Sequence, residues 1–503
     1  MLKKTRIALA VIFFAAITLL FLDFTGTIHR WMRWMAKIQF LPAVLALNFG
    51  VVIALAALTL IFGRVYCSVI CPLGVFQDII SWINGKRGKK NRMRFSYSPA
   101  KNWLRYGVLV LFIIALAAGA ASLAALIAPY SAYGRIASSL FAPLWKWGNN
   151  ILAYFAERLD SYAFYSTEVW SGSLSAFIVA IVTCIILFTL AWKNGRTWCN
   201  TICPVGTVLG FLSRFSLLKV RIDADKCKEC SLCTRQCKAS CIDWKNHSID
   251  YSRCVACFDC LDACRHGAIT YTWRHGSGTV RAAAEKEDKT MEATGASRRN
   301  FLSITALAAT SAALSAQEKK VDGGLAVIEE KKIPRRQTKI VPAGSLSIKN
   351  FYQHCTACQL CVSVCPNQVL RPSAGLMTLM QPEMSYEKGY CRPECTRCSN
   401  VCPSGAISPV TEAEKSSICI GHAVWIRENC IPITDGQKCG NCARHCPAGA
   451  IRMVPLEPGN PDSLRIPAVN EERCIGCGAC ENLCPARPFS AIYVEGHLVH
   501  SEI

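Results

Sequence analysis

Thirty-one cysteines, most of them in short and regular groups, constrain this 503-residue chain more than any other feature. The recurring unit has three cysteines at three-residue intervals and a fourth cysteine four residues later. Disulfide-rich secreted proteins are short and space their cysteines irregularly, and structural zinc prefers two Cys-x2-Cys pairs separated by a longer segment. The spacing here is the bacterial ferredoxin run, in which three thiolates hold one [4Fe–4S] cluster and the fourth holds its neighbour. The sequence therefore predicts modules that each bind two such clusters.

The first predicted module occupies residues 221–275 and contains two complete runs. Because the fourth cysteine of each run reaches the neighbouring cluster, the runs predict two ligand sets. Set 1 comprises Cys227, Cys230, Cys233 and Cys264, and set 2 comprises Cys254, Cys257, Cys260 and Cys237. The proline that usually follows the fourth cysteine is replaced by Lys238 and Arg265, and Cys241 is an alternative to Cys237 as a ligand.

Two more modules are predicted at residues 348–412 and 413–503, where each fourth cysteine precedes a proline. Proline favours the first turn of a helix, so the fourth cysteine is expected to start one. With each fourth cysteine again assigned to the neighbouring cluster, the runs predict four more sets. These are set 3 (Cys355, Cys358, Cys361, Cys402), set 4 (Cys391, Cys395, Cys398, Cys365), set 5 (Cys430, Cys439, Cys442, Cys484) and set 6 (Cys474, Cys477, Cys480, Cys446). Cys419 is an alternative to Cys430, because the first gap of that run is long. The six sets use 24 cysteines as iron ligands and predict six [4Fe–4S] clusters.

Apolar residues are concentrated before residue 200 and predict a four-helix membrane domain over residues 1–220. The predicted spans are residues 7–22, 40–62, 103–128 and 174–192. The last three have the length needed to cross a hydrocarbon core of about 30 Å. The first is shorter and has a cleavable signal peptide as its alternative interpretation, although no clean small-residue cleavage site follows it. The basic start of the chain and the basic loop at 86–94 predict that both segments are cytoplasmic.

Two copies of one motif follow the second and fourth apolar stretches. They read Cys67-Ser-Val-Ile-Cys71-Pro-Leu-Gly74 and Cys199-Asn-Thr-Ile-Cys203-Pro-Val-Gly206, each after an aromatic residue. Cysteines at helix ends are sometimes only small apolar residues, but the recurrence of the whole pattern opposes that interpretation here. The four-residue spacing places each pair on one helix face. The four thiols, called the thiol quartet below, are therefore candidates for disulfides, a metal site, or a contact with a cluster or quinone.

The middle of the chain predicts export of the C-terminal part. Residues 276–296 are polar and indicate a linker, as do residues 318–347. Between them, Ser297-Arg298-Arg299-Asn300-Phe301-Leu302 precedes a mild apolar run. This pattern is typical of a twin-arginine (Tat) signal, and residues 297–317 are an internal Tat signal or a fifth membrane helix. The sequence therefore predicts a bacterial inner-membrane protein with a cytoplasmic ferredoxin domain and a periplasmic C-terminal domain.

The formal charge of +22 does not indicate nucleic-acid binding. A cluster held by four deprotonated thiolates carries about −2, so six clusters leave the loaded chain at about +10. No Cys-x-x-Cys-His motif occurs, which opposes c-type haem, and no Gly-rich nucleotide motif occurs. Histidines beside the cysteines (His354, His422, His445) are expected to form hydrogen bonds and not to bind iron. No catalytic residue is predicted, and Cys184, inside an apolar stretch, is interpreted as an ordinary apolar residue.

In combination, these motifs resemble two families. Residues 1 to about 275 resemble the NapH-type membrane subunit of quinol dehydrogenases, and residues 297–503 resemble the NapG (MauM/NapG) type, so the chain resembles a NapH–NapG fusion. Similar membrane halves occur in nitrous-oxide reductase accessory proteins (NosR) and in the RdxA/CcoG oxidase-assembly group. The resemblance implies that the chain takes electrons from menaquinol in the quinol pool of the lipid bilayer. It implies delivery to a periplasmic molybdenum or copper reductase, nitrate reductase first and nitrous-oxide reductase second, directly or through a multihaem cytochrome c.

Whether the chain is itself an enzyme stays open, with a quinol dehydrogenase component as the class that the resemblance implies. One rival hypothesis is an assembly or maturation factor that reduces a metal or a disulfide through the thiol quartet. Another is a conduit that carries electrons outward from a cytoplasmic ferredoxin. The sequence also leaves a difficulty, because no cofactor is identified between the cytoplasmic and periplasmic clusters across the membrane core of about 30 Å.

Overall fold

The computed structural model describes residues 1–86, 95–161, 163–167, 169, 173–274, 329–460 and 462–503. Four predicted features lie outside the described residues in whole or in part. These are the basic loop from residue 87 to 94, the linker 276–296, the Tat segment 297–317 and residues 318–328 of the second linker.

The first part of the chain forms a helical domain. Its helices are α1 Leu2–Leu22, α2 Thr27–Met32, α3 Trp34–Lys37, α4 Phe40–Leu45, α5 Phe49–Phe62, α6 Val65–Val69, α7 Pro72–Gly85, α8 Asn102–Ala117, α9 Ala121–Ile127, α10 Pro129–Ile136, α11 Ala142–Arg158, α12 Leu174–Asn194, α13 Thr197–Thr201 and α14 Pro204–Ser213. A π-helical turn, Ala137–Phe141, joins α10 to α11. Among the described residues, α1 and α12 are the two helices long and apolar enough to cross a bilayer.

The other two apolar stretches are each divided into two helices, so four full-length spans are not shown. The stretch at residues 40–62 breaks after α4, where Leu47 has a left-handed backbone. The Asn48 side chain then caps α5 by accepting a hydrogen bond from the Val51 amide (3.3 Å). The stretch at residues 103–128 breaks at Gly119, which also has a left-handed backbone. At both breaks the two hydrogen bonds of a Schellman motif close the preceding helix. The resulting helices α5 and α8 have 14 and 16 residues, about 21 and 24 Å at 1.5 Å per residue.

Helix α1 is a packed part of the helical domain. The side chains of Ile17 and Leu20 are fully buried in its core. Near the start of the helix, Arg6 is also buried and forms an ion pair with Asp78 on α7 (3.0 Å). This packing favours the interpretation of residues 7–22 as a retained helix.

The helical domain has two halves, each of which ends in one copy of the cysteine motif and the helix that follows it. The halves exchange these last helices. Helix α7, which follows the first cysteine motif, packs on α12 of the second half, and α14, which follows the second motif, packs on α5 of the first half. The α7–α12 contact includes hydrogen bonds from the Ser81 hydroxyl to the Ala191 carbonyl (3.1 Å) and from the Asn84 amide to the Trp192 carbonyl (2.8 Å). The sequence repeat therefore becomes an interlocked pair.

The first cluster module is a small α+β unit that begins slightly earlier than predicted, at Leu218. Its elements are β1 Leu218–Ile222, α15 Leu232–Gln236, β2 Ile242–Asp243, β3 Ser248–Ile249, α16 Asp259–Ala263 and β4 Ile269–Trp273. Strands β1 and β4 are antiparallel, and so are β2 and β3. The module docks on the second cysteine motif, where the Arg196 amide donates to the Lys238 carbonyl (2.8 Å).

The described C-terminal part, residues 329–503, forms one domain. Its elements are α17 Ile348–His354, α18 Leu360–Val364, β5 Leu370–Pro372, β6 Pro382–Met384, α19 Arg397–Val401, α20 Glu412–Ser417, β7 Ile418–Trp425, α21 Ile431–Thr434, α22 Asn441–Arg444, β8 Ile451–Pro455, β9 Arg465–Val469, α23 Ala479–Leu483 and β10 Ile492–Glu502, with 3-10 turns at Leu376–Thr378, Arg427–Asn429 and Glu471–Arg473. The antiparallel pairs are β5–β6, β7–β10 and β8–β9.

Two boundaries in this region differ from the predicted ones. The predicted modules 348–412 and 413–503 share a single hydrophobic core. Residues 329–347 were predicted as part of a linker, but Ile340, Val341 and Ser345 are fully buried in the domain. Arg336 also pairs with buried Glu481 (2.5 Å). The linker interpretation of this segment is therefore wrong for residues 336–345, because Ile340 and Val341 face the core and Arg336 has a buried partner.

The expectation that each fourth cysteine starts a helix is also wrong. Cys237, Cys264, Cys365, Cys402 and Cys484 each lie just after the last residue of a five-residue helix. A residue before proline is disfavoured in the helical conformation, so the Pro after a cysteine ends the preceding helix. Cys237 and Cys264 adopt the same position without a proline.

A buried carboxylate connects the helical domain to the first cluster module. Asp78 on α7 contacts Arg6 (3.0 Å), Arg196 (2.8 Å) and Lys238 of the module (3.6 Å). Lys238 also contacts Asp259 (3.0 Å). Burial alone would raise the pKa of Asp78, but Arg196, Lys238 and Arg6 outweigh burial and hold that pKa well below its usual range. Asp78 is therefore the ionised centre of this contact.

We expect Asp78→Asn to destabilise the protein by about 3–5 kcal/mol, because it leaves buried cations without their counter-charge. The measurement is the midpoint of thermal unfolding of the detergent-solubilised protein. The matched control is Asp262→Asn, whose side chain is 58% exposed and also pairs with a lysine; its loss should cost no more than about 1 kcal/mol. Equal midpoints for the two variants would contradict the central role of Asp78.

Candidate iron–sulfur and thiol sites

Four of the cysteine runs share one backbone conformation. In each, the residues immediately before and after the second cysteine have positive φ. These pairs are Glu229 and Ser231, Ala256 and Phe258, Ala357 and Gln359, and Gly476 and Gly478. Left-handed backbone is unfavourable for residues other than glycine and persists where the surroundings require it. The conformation turns the loop so that three thiols face one point, and the third cysteine then lies in a short helix.

The structure brings the members of sets 1 and 2 together as predicted by spacing. The four thiols of set 1 line one cavity, beside Trp244 and His266. The four thiols of set 2 line a second cavity. Cys241 lines this second cavity as well, and its sulfur lies 3.5 Å from that of Cys237. Cys237 shares the helix-end position of the other fourth cysteines, and Cys241 does not.

The thiols of sets 3 and 4 also converge. Helix α18, which carries Cys361, packs on α19, which ends just before Cys402. Burial raises the pKa of Cys361, and the charges of Cys358, Cys355 and Cys402 raise it further. The thiols of set 4, Cys365, Cys391, Cys395 and Cys398, line a cavity that also includes Lys415. The Lys415 ammonium is buried and donates to the carbonyls of Arg392 (2.6 Å) and Cys395.

The thiols of sets 5 and 6 converge as well, and the cavity of set 5 distinguishes between its two candidate ligands, Cys430 and Cys419. The cavity of set 5 is lined by Cys430, Cys439, Cys442 and Cys484. Burial, Cys439, Cys430 and Cys484 raise the pKa of Cys442 to about 11. Cys419 does not line this cavity; it lies on β7 opposite Ser501 and acts electrostatically on Cys474 of set 6. In set 6, burial and then Cys477, Cys474 and Cys446 raise the pKa of Cys480.

The sets lie in a definite spatial order. Set 2 faces the helical domain, since the charge of Arg64 acts on Cys254 and the Arg64 guanidinium donates to the Ser252 carbonyl, whereas set 1 lies outward with Cys230 exposed. In the C-terminal domain, set 3 couples to set 4 through Cys361 and Cys398. Set 4 then contacts set 6, where the Cys391 amide donates to the Cys477 carbonyl (2.9 Å). Set 5 follows through the helix α23, which carries Cys480 and ends just before Cys484.

The thiol quartet converges between the two halves of the helical domain. Cys67, Cys71, Cys199 and Cys203 are each 3–4% exposed. Burial is the largest cause that raises the pKa of Cys203, and the charges of the other three quartet thiols raise it further. Cys71 and Cys203 cap the N-termini of α7 and α14, and the Cys203 sulfur accepts a hydrogen bond from the Gly206 amide (3.3 Å). The quartet is therefore a single buried site made of two similar halves.

Two buried arginines connect the halves reciprocally. Arg64, before the first motif, donates to the Cys199 carbonyl of the second (3.2 Å), and Arg196, before the second motif, donates to the Cys67 carbonyl of the first (2.6 Å). Both are fully buried. A Cβ atom at Gly74 would lie 2.2 Å from the Cys67 carbonyl oxygen, and one at Gly206 would lie equally close to that of Cys199. The final glycine of each motif is therefore required by close packing.

Sequence reasoning missed several residues of this site. Gln77 donates to the Cys199 sulfur (3.3 Å), and Arg64 approaches the Cys67 sulfur (3.8 Å). A readable signal was present, because a Gly-Arg pair stands at the same position before the first cysteine of each motif, as Gly63-Arg64 and Gly195-Arg196. No comparable repeat marks Gln77 or Asp78.

The two cluster-bearing parts dock at opposite ends of α1. At its start, Lys3 pairs with Asp259 and Asp262 of the first cluster module (both 3.3 Å). Near its end, Phe21 lies beside Gly134 of α10, against which the Cys358 backbone packs so closely that a Cβ at Gly134 would be 2.3 Å from the Cys358 oxygen. Set 2 and set 3 therefore face the helical domain from opposite sides.

The three histidines singled out in the sequence lie in hydrogen bonds. His354 and His445 each contact a backbone carbonyl one helical turn earlier, at 2.9 and 3.0 Å. His422 contacts His497, with 3.0 Å between the ring nitrogens.

Two family models match the chain. A "4Fe-4S binding domain" matches residues 44–90 and 175–223, the segments that contain the two halves of the thiol quartet. A "4Fe-4S dicluster domain" matches residues 437–487, which contain most of sets 5 and 6. Four-thiolate iron–sulfur chemistry fits the donor sets described above, and [4Fe–4S] clusters are the cofactor of this chain. No solved structure is significantly similar to it.

Curated relatives cover different shares of the chain. The methylamine utilization ferredoxin-type protein MauM of Methylobacillus flagellatus is 32% identical over 32% of this chain and 70% of its own length. The ferredoxin-type protein NapF of Escherichia coli K12 is 30% identical over 31% of this chain and 87% of its own length. The ferredoxin-type protein NapH of the same organism is 28% identical over 47% of this chain and 71% of its own length.

Similarity to NapH, together with two helices able to cross a bilayer, indicates a membrane protein. The NapF and MauM matches cover most of those proteins at 30% identity or more. The chain belongs to the NapH/MauM ferredoxin-type family of iron–sulfur electron-transfer proteins.

Proposed function

We propose that the chain carries electrons from menaquinol to a periplasmic terminal reductase. The observation that carries the proposal is the docking of cluster sets at both ends of one apolar helix, α1, which is long enough to cross a bilayer. Set 2 at one end and set 3 at the other then form the two inner terminals of a relay. The rest of each row, set 1 on one side and sets 4, 6 and 5 on the other, leads away from the membrane.

The proposed arrangement is a fusion of a NapH-like half with a NapG-like half. The first cluster module lies in the cytoplasm and the C-terminal domain in the periplasm, on the two sides of the bacterial inner membrane. The charge of the segments beside α1 and after the second apolar stretch supports this orientation. A Tat signal at residues 297–317 would export the C-terminal domain in its folded state.

Six [4Fe–4S] clusters are proposed to occupy sets 1 to 6, with the ligands that the sequence assigns. Cys430 is preferred to Cys419 because it lines the cavity of set 5. Cys237 is preferred to Cys241 because it occupies the helix-end position shared by the other fourth cysteines. The bound clusters supply one-electron transfer, and the protein adjusts their potentials through charge, hydrogen bonds and exposure.

The terminal acceptor is proposed to be a molybdenum or copper reductase, nitrate reductase first and nitrous-oxide reductase second. Electrons would leave from set 5, the last set in the row that begins at set 3, directly or through a multihaem cytochrome c. A quinol dehydrogenase role fits a site at the membrane boundary, near the thiol quartet.

The alternative role as a maturation factor is less well supported. Reduction of a substrate disulfide or metal requires thiols that a partner can reach. The thiols of the quartet are at most 4% exposed, which favours a role inside the relay. Outward conduction from a cytoplasmic ferredoxin uses the same row of clusters and differs in its donor.

We expect Cys430→Ser to lose about four irons per chain, because a [4Fe–4S] cluster needs its fourth thiolate. Cys419→Ser is the matched control, since Cys419 is a buried cysteine of the same domain outside the cavity of set 5. Iron and acid-labile sulfide are measured on anaerobically purified protein. Loss of iron in the Cys419 variant alone would transfer the ligand role to Cys419.

We also expect a menaquinol analogue to bleach the cluster absorbance of the full chain in anaerobic membrane vesicles, since quinol is the proposed donor. Vesicles that hold the loaded chain are compared with vesicles without it, before and after addition of the quinol. No bleaching would overturn the quinol proposal. Bleaching by a reduced ferredoxin, but not by quinol, would support outward conduction instead.

A further inference from the structure

We propose that the thiol quartet holds one further iron–sulfur cluster, shared between the two halves of the helical domain. Four converging cysteine thiols are the complete ligand set of a [2Fe–2S] or [4Fe–4S] cluster. Each half contributes only two thiols, Cys67 and Cys71 or Cys199 and Cys203. Neither segment matched by the family model can therefore bind a cluster alone, and the site exists only where the halves meet.

Charge around the quartet supports an anionic occupant. Arg64 is fully buried, forms no ion pair among the described residues, and its Nε has no hydrogen-bond partner there. Its other nitrogens are held by the Asn200 side chain (2.9 Å), by backbone carbonyls and by the Cys67 sulfur. A buried cation without a counter-charge is costly. A cluster with four thiolates has a net negative charge and would provide that counter-charge beside Arg64.

Donors directed at the sulfurs fit a cluster equally well. The Gly206 amide donates to the Cys203 sulfur, and the Gln77 amide donates to the Cys199 sulfur (both 3.3 Å). Cys71 and Cys203 also lie at the N-termini of helices of 14 and 10 residues, where the helix dipole stabilises negative charge. Hydrogen bonds to cluster sulfurs are one of the means by which proteins set cluster potentials.

The position of the quartet gives such a cluster a place in the relay. Arg64 contacts both the quartet and the Ser252 carbonyl beside set 2 (3.0 Å). On the other side, a row of packed rings leads from Phe76, the neighbour of Gln77, towards set 3. The ring centroids are 6.3 Å apart for Phe76–Tyr133, 6.4 Å for Tyr133–Phe21 and 6.0 Å for Phe21–Tyr130. A cluster in the quartet would shorten the gap between sets 2 and 3; this role rests on the proposed function, whereas binding of the cluster does not.

Iron counting on the full, anaerobically purified chain tests the proposal. Six [4Fe–4S] clusters account for about 24 irons, so a further cluster raises the count to about 26 or 28, according to its type. We expect Cys67→Ser/Cys199→Ser, which removes one ligand from each half, to lose only this excess and one component of the Mössbauer spectrum. Cys184→Ser is the control, since this cysteine lies on α12 outside the quartet.

A wild-type chain with about 24 irons, and the same Mössbauer spectrum in the double variant, would overturn the proposal. If the double variant does not accumulate, the iron count and Mössbauer components of the wild-type chain decide alone. The difference in iron between the wild-type chain and the double variant is independent of the proposed electron donor: failure of quinol to reduce the protein leaves this difference unchanged, and the absence of a difference leaves quinol reduction unaffected.

Discussion

Buried charge is the interaction on which the assembly of this protein depends. Asp78 is held between Arg6, Arg196 and Lys238, which come from α1, from the start of the second motif and from the first cluster module. In a buried site, breaking such a contact leaves charges that neither water nor another side chain compensates. The three parts are therefore stable together and costly to separate. This coupling fixes set 2 against the helical domain, where an electron relay needs it.

The same reasoning explains why so basic a chain binds anionic cofactors. Each cluster adds negative charge that the folded protein must balance. Buried cations stand beside the sets: Lys415 at set 4, Lys238 at set 2 and Arg64 between set 2 and the thiol quartet. The formal charge of +22 is thus partly a property of the unloaded chain. A nearby lysine or arginine stabilises a reduced cluster more than an oxidised one, because the reduced cluster carries more negative charge. The placement of these cations therefore affects the reduction potential of a cluster as well as the stability of the protein.

The sequence was most informative where structure is local. Spacing of three residues determines which thiols a single loop can bring together, so the groups of cysteines that line one cavity could be predicted before any fold was known. The same run predicts that the fourth cysteine reaches the neighbouring cluster, but it does not predict that this cysteine lies at the end of a helix. Positive φ at Ala256 and Gln359 was not readable either, since neither residue prefers it.

Long-range packing explains the features that the sequence did not predict. Gly119 and Asn48 were visible helix-ending residues inside apolar stretches, but hydropathy alone favoured continuous spans. Residues 329–347 resemble a linker in composition and become part of a core only because strand β10 and helix α23 lie beside them. The reciprocal arginines required knowledge that α7 and α14 cross to the opposite half.

That exchange has a consequence for assembly of the thiol quartet. The Cys67 carbonyl depends on Arg196 and the Cys199 carbonyl depends on Arg64, so each half satisfies a buried polar group of the other. Buried carbonyls without partners are costly, and each half alone would leave one unsatisfied. We therefore expect the two halves to fold as one cooperative unit. Because the quartet takes two thiols from each half, its four-thiol geometry forms in the same step, and a half-formed site with two thiols is not a stable alternative.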